Sequence, residues 1–387
     1  MTTRADERTA EAVAIMRRYA ERTGITGSGP GRRYLWTDAF AVCNFLGLSA
    51  ATGDPTLAAL ALRTVDGVHD VLGRHRGDDG RSGRLSGLDD VEGARHPTRG
   101  GLRIGKPLPE RARGEALDDR LEWDRDGQYF HYLTKWMHAL DQVARTTRDA
   151  RFNVWARELA VVAHAAFVYA APGTAAKRIY WKMSIDLSRP QVASMGHHDP
   201  LDGFVTCVAL EATAAALEPG SGPRLDAQAA DFASMIALDR LATADPLGLG
   251  GLLVDAARVA ELTRDGAWPA GDRLLDALLA AAALGLRHYV RQPDLRAPAA
   301  HRLAFRELGL AIGLAVVERL RAGTGRSPDA RAALDELARQ ASVRDAIESF
   351  WLVDAHRQQV TWRAHEDIND VMLATALAPA GFLDRRP

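Results

Sequence analysis

The stretch "SMGHHDPLDGF", residues 194–204, sets His197 and His198 beside Asp199 and Asp202 among glycine and proline, in a chain that holds twelve histidines. Such a group suits proton transfer, because imidazole titrates near neutrality and a neighbouring carboxylate tunes it. It suits a metal ion or a helix N-cap equally well, and the stretch alone does not choose. Three further stretches carry polar chemistry with the same ambiguity. "RRYLWTDAF" (32–40) offers Arg33, Tyr34, Trp36 and Asp38, and "LEWDRDGQYFHY" (121–132) offers Asp124, Asp126, Gln128, Tyr129 and His131. "TWRAHEDINDV" (361–371) offers His365, Glu366 and Asp367, with Asp370 behind them. Trp181 adds an indole in "RIYWKM". Capping and the helix dipole explain one acid at each helix start, but not the aromatic rings, histidines and arginines that accompany it. Flat apolar faces for C–H surfaces, with polar groups for hydroxyls, point to a pocket for a polar small molecule.

These residues have to be positioned by helices. Alanine- and leucine-rich segments with apolar residues three and four apart dominate the 387 residues, and alternating strand patterns are nearly absent. One set, about 5–23, 54–75, 146–170, 225–243, 271–292 and 328–350, is charged on one face and reads as outer helices. A second set, about 36–49, 127–143, 200–217, 247–264, 303–320 and 366–379, is richer in glycine and alanine and reads as buried inner helices. Outer and inner alternate six times, so the expected fold is an all-α (α/α)6 toroid, one domain over 1–387, with an open solenoid as the rival. Two long inserts, about 76–122 and 172–198, interrupt the rhythm, and the aromatic content of the second predicts an ordered hairpin. If the inner helices run parallel, the polar stretches all stand at their starts around one mouth.

Composition narrows the partners. Lysine plus arginine (49) balances aspartate plus glutamate (50), which leaves no net field for nucleic acid or an anionic membrane. The N-terminal segment is charged and amphipathic, and no run reads as a membrane span, so the expected location is the cytoplasm. Cys43 and Cys207 sit inside apolar helical patterns and are expected as buried free thiols. The expected partner is a small-molecule or oligosaccharide substrate, with room for a homodimer, no metal and no cofactor. In "HPTRGGLRIGKPLPER", Arg99, Arg103 and Lys106 alternate with glycine and could hold a phosphate or a uronate carboxylate, although no phosphate-loop spacing is present.

The hairpin architecture, the length and "RRYLWTDAF" resemble the six-hairpin glycosidase superfamily, in particular its unsaturated glucuronyl and rhamnogalacturonyl hydrolases. Trp36, Asp38, Ala39 and Phe40 match the stretch that opens an inner helix there, and Asp126 is the nearest counterpart of that branch's second aspartate. The resemblance implies a glycoside hydrolase in which Asp126 acts as acid and Asp38 as its partner. A more distant similarity to the N-acylglucosamine 2-epimerases implies a histidine pair instead, with His197 or His198 (His198 taken as the candidate) and His365 as acid and base, although the Gly-His stretch here opens the third inner helix. Arg33, Tyr34, Trp36, Asp124, Gln128, Tyr129, His131, Trp181, His197, Asp199, Asp202, Glu366 and Asp367 are then expected to bind substrate. A non-catalytic helical binding protein is the remaining alternative.

Overall fold

The computed structural model describes residues 3–29, 31–171, 173–174, 176–268, 271–292, 294–323 and 326–384. Pro172 and Ala175 of the second insert lie outside the described residues. The fold is all-α. In chain order the helices begin with α1 (Arg4–Arg22), α2 (Leu35–Thr52) and α3 (Pro55–Leu72). Gly53, at φ 72°, makes the turn between α2 and α3, a backbone that a side chain would strain. The first insert contributes only α4 (Asp90–Arg95) and α5 (Asp119–Asp124), each N-capped by the preceding aspartate, Asp89 and Asp118. Then follow α6 (Phe130–Thr147), α7 (Ala150–Phe167), α8 (Asp199–Leu217) and α9 (Asp226–Met235). The next are α10 (Pro246–Arg264), α11 (Asp272–Tyr289), α12 (Ala304–Leu314) and α13 (Val317–Ala322). The chain continues with α14 (Pro328–Arg339), α15 (Ser342–Leu352), the single turns α16 (Asp354–Arg357) and α17 (Val360–Arg363), and α18 (Glu366–Leu377).

Four expected helices differ in extent. The one expected over 225–243 ends at Met235, and only the single 3-10 turn Leu238–Arg240 follows it. The segment expected over 146–170 leaves the helix after Phe167, because Val168–Ala170 pairs as a strand with Lys177–Ile179. The segments over 303–320 and 328–350 are each broken. At Ala315–Val316 and at Gln340–Ala341 the backbone hydrogen bonds shorten to three residues, which tightens the turn and redirects the chain.

By packing, the chain expected as one domain divides into two compact units. One takes Ala20–Leu46 and Pro55–Ile236; the other takes α1 up to Tyr19, Gly47–Asp54 and the chain from Ala237 onward. In the α6–α8 unit, α6 packs on α7, α8 on α9, and α6 directly on α8, so inner helices neighbour inner helices. In the α10–α18 unit, α10 packs on α11 and α12, and α12 on α15 and α18. The α10–α12 approach is close enough to require glycine: a Cβ on Gly250 would stand 2.0 Å from the Gly309 carbonyl oxygen.

Helix α8 is long and apolar enough, by length and composition, to cross a membrane, which corrects the expectation that no run reads as a span; 67% of its apolar window is buried within the fold. An inner helix is covered on nearly all sides, so it becomes as apolar as a span. Cys43 and Cys207 are buried free thiols, as expected. The described residues of the second insert carry strands: Lys182–Met183 (β4) and Pro190–Val192 (β5) join Gln128–Tyr129 (β1) in a three-stranded sheet of order β1-β4-β5, and Lys177–Ile179 (β3) pairs with Val168–Ala170 (β2).

Candidate functional site

Three inner helices of the α6–α8 unit start at one place. Trp36, in the first turn of α2, packs its ring against Tyr132 (5.2 Å between centroids) and His131 (6.0 Å), both in the first turn of α6. From the start of α8, Asp202 accepts from Thr134 Oγ1 at 2.5 Å and Lys135 Nζ at 2.8 Å, on the next turn of α6. Helix α6 has no side-chain cap at Tyr129, because the chain enters it directly from β1. That strand entry turns Tyr129 toward Trp181 (5.1 Å) and His131 (5.4 Å), while Trp181 lies nearly parallel to His131 (6.0 Å, 11°). The Tyr34 and Tyr132 hydroxyls meet at 2.7 Å. The result is an aromatic cluster, buried at Trp36, Tyr129 and Tyr132, that reaches the surface through Trp181 and the half-exposed Trp123, 6.5 Å from it.

The titrating groups here are strongly biased. His131 is pushed down to about 3, first by burial and then by the Lys135 ammonium, so its imidazole is neutral at physiological pH. Asp199 is pushed up to about 7, first by burial and then by the Asp202 carboxylate, against the pull of the Gly196 amide that donates to it at 2.9 Å. Burial raises the Tyr34, Tyr129 and Tyr132 phenols as well. His198 holds the N-cap position of α8 but makes no side-chain cap bond, and its ring stands 4.5 Å from that of His197. His197 is exposed and His198 half-buried, so the two rings present different faces of one turn.

The two carboxylates expected as a hydrolytic pair are both fully buried. Asp38 accepts from Arg33 Nη1 at 3.1 Å and from the Tyr34 amide at 3.0 Å, locking the approach to α2. Asp126 accepts from Arg103 (2.5 Å) and Arg76 (3.2 Å), and from the amides of Gly105 and Gly127 (3.0 Å each). Gln128, expected at the substrate, is also fully buried. Its amide is instead spent on backbone, accepting from Leu102 N (2.8 Å) and donating to Gly100 O (3.0 Å) and Ile185 O (2.7 Å). Arg33 gives its second nitrogen to Thr23 O at 2.7 Å. Asp124 is exposed beside Trp123.

In the α10–α18 unit, the starts of α10, α12 and α18 also adjoin. Arg306 of α12 pairs with Asp245, the N-cap of α10, and the His365 ring packs edge-on against Phe305 at 5.6 Å. Glu366 and Asp367 form the first turn of α18 behind His365.

No family model and no curated protein matches the sequence. Among solved structures the chain is similar to cellobiose 2-epimerase from Spirochaeta thermophila, with a TM-score of 0.48, 12% identity, and coverage of 87% of this chain and 84% of that one. The family resemblance drawn from "RRYLWTDAF" therefore stands on the residues themselves.

Sequence reasoning did not single out Lys135, Thr134, Glu122 or Lys182. Lys135 lies four residues after His131 on one helix face, a spacing that was available. Nothing in the sequence pairs Lys182 with Glu122: the buried ammonium reaches Glu122 Oε1 at 2.8 Å across a separation of 60 residues, and also binds the carbonyls of Glu122 and Arg125. With Arg81 bound to Asp186 (2.6 Å) and Glu110 bound to the Ile185 amide (2.6 Å), it knits the two inserts together. Among the described residues no group of three histidine, cysteine or acidic side chains is placed to hold a metal.

Proposed function

We propose that this chain is a carbohydrate-active enzyme, an epimerase or isomerase that moves a proton on a sugar at the joint start of α2, α6 and α8. One observation carries the reading: a carboxyl poised near neutrality, Asp199, lies under the His197–His198 turn, whose helix adjoins an aromatic cluster that holds a neutral imidazole. Epimerisation beside a carbonyl needs a base to take the carbon-bound proton, a group to stabilise the enediolate oxygen, and an acid to return a proton to the other face. His198 takes the acid–base part. Neutral His131, kept from charging by Lys135 and burial, offers a hydrogen bond to the substrate oxygen without presenting a full positive charge. Asp199 acts through the turn it underlies and is a positioning residue. Trp181 takes the sugar's C–H face, held in place by the buried Tyr129 ring packed against it.

The hydrolase reading has less support, because an acid must reach the glycosidic oxygen and Asp126 is enclosed by two guanidiniums and two amides. Asp38 and Asp126 are read here as residues that hold the approaches to α2 and α6.

Incubating the protein with a panel of reducing mono- and disaccharides in deuterated water tests this. The expected result is deuterium at the carbon beside the carbonyl without cleavage, lost in His198→Ala and His131→Ala. Release of a free monosaccharide from a disaccharide would overturn it in favour of hydrolysis, and sugar binding with no exchange would favour a binding protein.

A further inference from the structure

We infer that Lys106 is a specificity-determining residue that selects sugars carrying an anionic group, a carboxylate or a phosphate ester, and this rests on the sugar reading above. The Lys106 ammonium stands 5.5 Å from the Tyr34 ring centre and 5.0 Å from that of Trp123, between two aromatic walls. These walls attract the cation and strip part of its water, and burial lowers its pKa. Its neighbours differ from it in one respect. Arg33 is paired with Asp38, Arg76 and Arg103 with Asp126, and Lys182 with Glu122. Among the described residues no carboxylate lies within ion-pairing distance of Lys106; Asp124, Asp126 and Lys182 act on it only through space.

A partly desolvated ammonium without a counter-ion costs free energy that a bound anion recovers, and the bound pair is shielded from water on two sides. The position suits a substituent of the bound sugar. Trp123, which walls Lys106, is half exposed and continues through Trp181 to His131. A sugar lying against Trp181 and Trp123 brings an acidic group toward Lys106, while Arg76 and Arg103 are already committed to Asp126.

The test uses the full chain and isothermal titration calorimetry with glucose, glucuronate and glucose 6-phosphate, on the wild type, Lys106→Met and Lys106→Arg. The wild type is expected to bind at least one of the two acidic sugars about tenfold more tightly than glucose. Lys106→Met is expected to bring that ratio to about one, and Lys106→Arg to restore most of it. Preference for glucuronate assigns the group as a carboxylate, and preference for glucose 6-phosphate assigns it as a phosphate ester. Equal affinity for glucose and both acidic sugars overturns the inference and leaves the sugar reading intact, as does a ratio unchanged in a folded Lys106→Met protein. Binding of none of the three by the wild type overturns both.

Discussion

At the residue scale, the site turns on groups whose protonation is set by burial. Asp199, pushed up to about 7, is half protonated at neutral pH, so the turn above it feels a carboxyl that gains or loses charge in the working range. We expect the kcat/KM profile for exchange to show an inflection near pH 7 in the wild type that is absent in Asp199→Asn; an unchanged profile would remove Asp199 from the mechanism. Trp181 is the ring that closes the aromatic cluster over His131. Trp181→Ala is expected to lower kcat/KM by about tenfold, mainly through KM, the size of one lost aromatic contact, with steady-state kinetics as the measurement. Asp38 shows how far a residue can be read from sequence. Its place at the start of an inner helix was legible from "RRYLWTDAF", but the arginine that covers it, Arg33, became its partner only through the bend of the chain before Leu35.

At the element scale, helix periodicity and capping placed the starts of the inner and outer helices within a few residues, because both act locally. α8 and α10 begin where Pro200 and Pro246 allow a first turn and nothing else. The break at Gln340 was not legible, since no glycine or proline announces a tightened turn there, whereas the break at Ala315 follows Gly313, whose carbonyl accepts from the Val316 amide. The close approach of α10 to α12 gives an element-level prediction. Gly250→Ala forces a methyl against the Gly309 carbonyl and is expected to cost about 1–3 kcal/mol of stability, measured by denaturant unfolding. The inserts make the opposite point. Residues 76–122 show no helical period, yet Arg81, Glu110 and Glu122 hold Asp186, Ile185 and Lys182 of the second insert. Lys182→Met leaves Glu122 buried without that ammonium, and is expected to raise KM more than it lowers kcat by loosening Tyr129 and Trp181.

At the scale of the whole molecule, buried titrating groups set the response of stability to pH. His69, whose Nε2 accepts from Trp136 in the core, and His131 are both pushed down to about 3, from an ordinary value of 6.5. Between those values the unfolded chain binds protons that the folded chain refuses, so stability falls as pH drops from about 6.5 toward 3. Asp199 works in the other direction: from about 3.8 to 7 the folded chain keeps a proton that the unfolded chain has released, so stability falls as pH rises through that window. Two histidines outweigh one aspartate. The expected outcome is a loss of thermal stability on acidification below pH 6.5, steeper in Asp199→Asn than in the wild type, read from melting temperatures across a pH series.

The sequence by itself determined that the chain is helical, which helices are covered on all sides, and that polar and aromatic residues gather at inner-helix starts. Those properties follow from spacing along a single helix and need no knowledge of its neighbours. Only the tertiary structure decided which of the gathered residues keep open chemistry. Asp38, Asp126 and Gln128 were drawn into ion pairs and backbone clamps, while His131, Asp199 and Lys106 were left with biased protonation or without a counter-charge. The reason is physical: burial and partner charge are set by segments tens of residues apart, and no local pattern encodes which arginine reaches which carboxylate first.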